Sequence, residues 1–192
     1  MRIPTDLEIR ALHERFAPSP EAFELVWTHC EIVCRIADQL LAADGHGLDA
    51  ALVRAGCLLH DIGVYRLDPD EHYVRHGLLG YELLDETGLP ETLRRFCAHH
   101  TGVGITRDDV LRQRLPLPPC DYLAETGEEE LVMYADKFHS KSTPPRFLTA
   151  ATFADRVSRF GPDKVKRFSS LVDRFGEPSL APLAAEYGHP IT

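Results

Sequence analysis

The positions Ala22, Val26, His29, Val33, Ile36 and Leu40 recur at intervals of 4-3-4-3-4, the spacing that gathers side chains on one face of an α-helix. Ser19-Pro20-Glu21 places a capping serine before a proline suited to the first helical position, and Asp44-Gly45 supplies a stop. A helix this long must bury its stripe against other elements, and the rest of the chain is punctuated for more helices. A second is predicted from about Leu48 to His60-Asp61, where Ala50, Ala51, Ala55 and Gly56 favour close approach of a neighbour and Gly63 ends or turns the chain. Others are predicted near 76–87 and, after Gly88-Leu89-Pro90, near 90–100. Thr126-Gly-Glu-Glu129 reads as a capping box opening a helix through about His139. Val165, Phe168, Val172 and Phe175 share one face of a late helix. No strand pattern of comparable quality occurs, so the expected fold is all-α, a compact helical bundle.

With 192 residues and 44% hydrophobic content the chain fits one domain with a sizeable core. The N-terminal MRIPTDLEIR lacks the apolar region of a secretory signal, and no run approaches the roughly 18 apolar residues of a membrane span. A soluble, cytoplasmic protein with no membrane partner is expected. Five cysteines without a CxxC pattern read as reduced, with Cys30 and Cys34 as small core residues and no disulfide. A net charge of −9 disfavours a broad nucleic-acid surface, although a small anion can still be drawn in by a metal or a local group of cations.

Against this apolar background the stretch Gly56-Cys57-Leu58-Leu59-His60-Asp61-Ile62-Gly63 is anomalous. An imidazole and a carboxylate close what looks like the buried end of a helix, where an unpartnered charge costs several kcal/mol. His29 sits in the middle of its buried stripe, where by itself it reads as a hydrogen-bonded core histidine. Asp136 lies beside the Leu131, Ala135 and Phe138 stripe, on the border of the buried face. His99-His100 closes a helix carrying Leu93, Phe96 and Cys97, where cations suit the negative dipole end, and His76 precedes Gly77 as a helix-start residue. His139 and His72 read as structural or surface residues. Each has a bland explanation alone, but together they supply from several helices the ligand types that bind Zn, Mn, Fe or Mg.

The ordered set His29…His60-Asp61…His76…His99-His100…Asp136 resembles the HD-domain metal-dependent phosphohydrolase superfamily, and His60-Asp61-Ile62-Gly63 matches its HDIG subset. The resemblance spans roughly residues 25–140, within a motif-bearing core of about 21–141 followed by a helical extension over about 142–192. His76-Gly77-Leu-Leu-Gly80, His100-Thr101 and Tyr134-Ala135-Asp136-Lys137 look most like the HD-type symmetrical diadenosine-tetraphosphate hydrolases, which carry a dinuclear, typically iron, centre. After His99-His100 the chain reads Thr-Gly-Val-Gly-Ile, without the GYP signature of cyclic-di-GMP phosphodiesterases.

The resemblance implies that His29, His60, Asp61 and Asp136 hold one divalent metal (Fe, or Mn, Zn or Mg), and that Asp61 bridges to a second held by His76 and by His99 or His100. Two such cations about 3.5–4 Å apart would lower the pKa of a water between them and grip phosphate oxygens. Asp61 and Lys137 are then the catalytic candidates, and Lys137, Lys141 and Arg146 a clamp for phosphates beyond the metals, although a cation-rich helix end reads the same way. The expected activity is hydrolysis of a phosphoester or phosphoanhydride of a nucleotide or related small molecule. A di-iron oxygenase on the same fold and a metal-stabilised nucleotide-binding regulatory domain are the alternatives.

Overall fold

The computed structural model describes residues 2–43 and 47–192. Ten α-helices run through them: α1 (Asp6–Phe16), α2 (Pro20–Ala43), α3 (Ala50–Leu59), α4 (His76–Glu86), α5 (Glu91–Ala98), α6 (Arg107–Gln113), α7 (Gly127–Asp136), α8 (Ala150–Ser158), α9 (Pro162–Phe175) and α10 (Leu180–Tyr187). Short 3-10 turns at Ile62–Arg66 and Tyr73–Arg75 join α3 to α4, and two-residue strands β1 (His139–Ser140) and β2 (Arg146–Phe147) pair antiparallel. The all-α expectation holds. The proposed stop at Asp44-Gly45 lies outside the described residues.

Helix α2 is the central rod, with Val26, His29, Val33, Ile36 and Leu40 all buried. Ser19 caps it as its sequence suggests, its Oγ accepting from the Ala22 N–H at 3.2 Å. α3 starts at Asp49, whose carboxylate accepts the N–H groups of Ala51 and Leu52 at 2.9 and 3.1 Å. Of the four small residues expected at a helix contact, Ala55 and Gly56 are buried and Ala50 and Ala51 face solvent. Gly56 lies against the Phe96 ring of α5 so closely that a Cβ would stand 2.4 Å from it.

The turn after Asp61 is tighter still. A Cβ on Gly63 would lie 2.0 Å from the His76 carbonyl oxygen and 2.2 Å from the Gly80 nitrogen, so the turn rests main chain against main chain on α4. Glycine is required here by approach, not by φ. The contact sets where His76 stands relative to Asp61.

Helix α7 begins at Thr126, whose side chain accepts from the Glu129 N–H at 3.2 Å. The reciprocal half of the expected capping box does not form, because the Glu129 carboxylate accepts instead from Glu125 N–H, Arg95 and His99. The helix ends at Asp136 rather than near His139, whose backbone enters β1. Tyr134, fully buried, donates its O–H to the Gly176 carbonyl at 2.6 Å, and its ring meets Phe138, Phe168 and Phe175. This holds α9 on α7, with Phe168 and Phe175 inward as the spacing predicts.

Helices α1, α6, α8 and α10 were not anticipated. The first two carry complete capping boxes, Thr5/Glu8 and Thr106/Asp109, and α8 carries the N-cap Thr149. α1 is fastened by His13, which is buried: its Nε2–H donates to the Leu58 carbonyl at 2.7 Å and its Nδ1 accepts from the Tyr65 hydroxyl at 2.8 Å. No helix among the described residues is long and apolar enough to cross a membrane.

Two outcomes follow from these contacts. Gly63→Ala forces backbone apart and should destabilise the fold by about 3 kcal/mol or more, whereas Gly88→Ala, at φ 76° in open space, should cost about 1 kcal/mol; urea denaturation separates them. Burial pushes the His13 imidazole down to about 4 from 6.5. The unfolded chain therefore takes up this proton as pH falls below about 6.5 while the folded protein does so only near 4. The neutral His13 stabilises above that window, and up to about 3 kcal/mol is lost as pH falls through it. The pH dependence of stability should flatten between pH 6.5 and 4 in His13→Asn relative to the parent.

Candidate metal centre

His29 comes from α2, His60 and Asp61 from the end of α3, His76 from the first turn of α4, His100 from just after α5, and Asp136 from the last residue of α7. Five elements thus bring their polar residues to one place, and Asp61 lies at its middle, 1% exposed. Its Oδ2 stands 3.1 Å from His29 Nε2 and 3.5 Å from His60 Nε2. Asp136 Oδ1 lies 3.0 Å from His29 Nε2 and 3.6 Å from His60 Nε2, and the two Nε2 atoms are 3.3 Å apart. On the other side Asp61 Oδ1 lies 3.4 Å from His76 Nε2 and 3.5 Å from His100 Nε2, which are 2.8 Å from each other.

The hydrogen bonds behind the rings fix what these nitrogens offer. The Nδ1 of His60 faces the Cys57 carbonyl at 2.7 Å, that of His76 the Tyr73 carbonyl at 2.6 Å, and that of His100 the Cys97 carbonyl at 2.7 Å. A carbonyl only accepts, so each Nδ1 carries a proton, and where the ring is neutral its Nε2 lone pair turns inward. Burial lowers the His76 imidazole to about 3 and lowers His100 as well. Two lone pairs therefore meet with no proton between them, beside a buried Asp61 Oδ1 that has no hydrogen-bond partner. Such a convergence needs a cation.

Spacing agrees with this chemistry. Ligand atoms about 2.1 Å from one ion stand about 3.0–3.4 Å apart in octahedral or tetrahedral arrangement, and separations within both groups are close to that range. His29, His60, Asp61 and Asp136 form one set able to hold a metal, and Asp61, His76 and His100 a second. Charge points the same way. Burial would raise the Asp61 carboxyl, but Lys141 and His60 outweigh it and hold it well below the usual range. Asp136 is likewise held down, chiefly by Lys137 against the effect of burial. Burial disfavours the His60 imidazolium, yet Asp61 raises its pKa well above the ordinary value.

The remaining predicted residues divide. His99 turns away from Asp61: its Nδ1 lies 2.9 Å from the Glu129 carboxylate, which Arg95 also binds at 2.8 Å. Of the two adjacent histidines, His100 is the one that faces Asp61. Lys137 is buried and donates to the Asp136 carboxylate at 2.6 Å and to the His100 carbonyl at 2.8 Å, so it braces two of the assembled groups. Lys141 ion-pairs with Asp61. Arg146 departs from the expected clamp: it lies on β2, donates to Ser142 at 3.2 Å, and does not line the cavity beside Asp61, because strand pairing carries it away.

His139, read from sequence as structural or surface, is 5% exposed. Its Nδ1 stands 2.8 Å from His29 Nδ1 and its Nε2 3.0 Å from His189 Nδ1. If His29 turns its Nε2 lone pair to a cation held with Asp61 and Asp136, its Nδ1–H donates to His139, which in turn donates to His189. This outer imidazole chain orients His29. His189, 50 residues further on, has no local signal that places it there.

The HD domain profile matches residues 26–141, the segment that carries all seven predicted metal-ligand candidates. The chain belongs to the HD domain family. An uncharacterized protein of Methanocaldococcus jannaschii is 42% identical over 116 residues, covering 59% of this chain and 65% of that one. The tRNA (cytidine(56)-2'-O)-methyltransferase of Picrophilus torridus is 37% identical over 122 residues, which are 64% of this chain and 33% of the relative. The chain thus spans less than two thirds of the length of these curated relatives. Among solved structures, the HD domain of the L. monocytogenes phosphodiesterase PgpH superposes with TM-scores of 0.51 alone and 0.53 in complex with cyclic-di-AMP. Identities are 15% and 16%, over 93% and 96% of this chain and 98% and 99% of the other. That likeness establishes a shared HD-type helical fold, which extends past the matched segment into α8–α10.

The contrast between the adjacent histidines gives a direct test. His100→Ala should lower the bound divalent metal measured by mass spectrometry after equilibration with Mn²⁺. His99→Ala should leave metal content unchanged while lowering stability by about 1–3 kcal/mol through the lost Glu129 hydrogen bond.

Proposed function

We propose that this HD domain is a metal-dependent phosphohydrolase with two cations, one held by His29, His60, Asp61 and Asp136 and the other by Asp61, His76 and His100. The observation that carries the reading is the division of one buried carboxylate between two donor sets, Oδ2 toward His29 and His60 and Oδ1 toward His76 and His100. Membership of the HD family and the His/Asp cluster support hydrolysis of a phosphate in general. The motifs around His76, His100 and Asp136 favour, among HD proteins, the diadenosine-tetraphosphate hydrolase type. A nucleotide substrate is also supported by the fold neighbour solved with cyclic-di-AMP.

Divalent metal at such a site supplies Lewis acidity toward water and phosphate oxygens. The protein's part is positional. Asp61 and the histidines present fixed lone pairs, Lys137 holds Asp136 and the His100 main chain in place, and Lys141 lies where its ammonium can move from Asp61 to a phosphate oxygen. In the reaction the water oxygen forms a bond to phosphorus, the bridging P–O bond breaks, and the departing oxygen takes up a proton. The match to a tRNA methyltransferase does not direct the reading, because it covers a third of that relative. A formal charge of −9 also disfavours an extended RNA surface.

The test is phosphate release from nucleoside polyphosphates, dinucleoside polyphosphates and nucleoside monophosphates by Mn²⁺-loaded protein without oxygen. Hydrolysis should proceed anaerobically, and Asp61→Ala should lose both bound metal and at least about 10³-fold in rate. Turnover that requires oxygen and iron would instead make this an oxygenase.

A further inference from the structure

Asp61, His76, His100 and Asp136 open onto a cavity of about 640 Å³, which is the size of a site for a small organic molecule. Another part of its wall comes from α8 and the residues just beyond it: Phe153, Arg156, Val157, Arg159 and Phe160. None of these belongs to the matched segment, which ends at Lys141. The family's ligand-bearing core and a separate helix therefore share one cavity.

The chemistry of that second wall is specific. Phe160 is 45% exposed, one of the few large apolar side chains facing solvent, and the Arg159 guanidinium lies 5.1 Å over its ring. Phe153 and Val157 continue the apolar surface inward, joined by Val64 and Leu148 from other elements. Among the described residues, neither Arg156 nor Arg159 has a carboxylate partner. Arg35, Arg54, Arg66, Arg95 and Arg174 are each ion-paired. Arg15, Arg107, Arg114, Arg146 and Arg167 share the unpaired state among the described residues, but of these arginines Arg156 and Arg159 alone line the cavity. Guanidinium groups left unpaired beside an aromatic face suit a ligand that is anionic at one point and planar at another.

We propose that α8 is the specificity wall of the cavity, and that it selects nucleoside phosphates with more than one phosphate group. Phe160 and Phe153 take the base, while Arg156 and Arg159 hold the phosphate that is not being cleaved. The inference rests on the phosphohydrolase reading for the reacting end only.

Binding tests it without turnover. Three probes are titrated by calorimetry into the Mn²⁺-loaded full chain: the α,β-methylene analogue of ADP, adenosine, and methylenebisphosphonate. The ADP analogue should bind at least tenfold more tightly than either fragment. The double variant Arg156→Ala/Arg159→Ala should weaken the analogue and the bisphosphonate tenfold or more and adenosine less than twofold. Phe160→Ala should weaken the analogue and adenosine and spare the bisphosphonate. Arg15→Ala on α1, which removes the same charge away from the cavity, should bind all three as the parent does, and circular dichroism checks that each variant is folded. An analogue that binds no better than bisphosphonate, or a double variant that matches the parent, overturns the proposal. Phosphate release is scored separately. A protein that cleaves other phosphoesters but does not bind the analogue sinks the α8 assignment alone; one that binds it as described and cleaves no phosphate sinks the hydrolase reading alone.

Discussion

A carboxylate buried at the end of an apolar helix organises the whole molecule. Asp61 is 1% exposed and faces four imidazoles and an ammonium group. Its charge is met by the Lys141 ammonium on one side, and the imidazoles around it complete two sets of groups able to hold a cation. The main-chain carbonyls of Cys57, Tyr73 and Cys97 take part in this by fixing which ring nitrogens point inward. The backbone at helix ends thus determines the tautomers at the centre, and the fold and the site cannot be described separately.

Much of this is legible in the sequence. The stripe on α2 identified His29 as inward-facing, and the His-Asp doublet at the end of an apolar run announced a buried charge with a partner to be found. The ligand candidates themselves came from the joint pattern and the family it resembles. What remained hidden was pairing across distance. Sequence gives two adjacent histidines the same claim, and only the position of Glu129 and Arg95 on the far side shows why His99 turns outward and His100 inward. The same residue defeated the capping-box prediction, since a buried ion pair and hydrogen bonds outweigh a local cap.

Arg146 and His139 show a related limit. His139 stands where the helix is expected to end and Arg146 follows Pro144-Pro145, but the chain leaves the helix at Asp136 and forms the strand pair. That exchange turns His139 into a support for His29 and takes Arg146 away from the cavity. α8 carries helical apolar spacing at Ala150, Phe153, Ala154 and Val157, but at nine residues with a lone threonine cap it offers too short a pattern to stand out from the loop before it.

The main-chain contact between Gly63 and α4 has a consequence for how such a protein can change over time. The gap between Asp61 and His76 is set by backbone touching backbone, so repacking of side chains elsewhere leaves it nearly untouched. The cavity's other wall stands on a helix whose sequence is under no such geometric demand. Descendants of this chain can therefore drift in what they recognise while the reactive end stays constant, so that new substrates are reached by altering one short helix and leaving the centre in place.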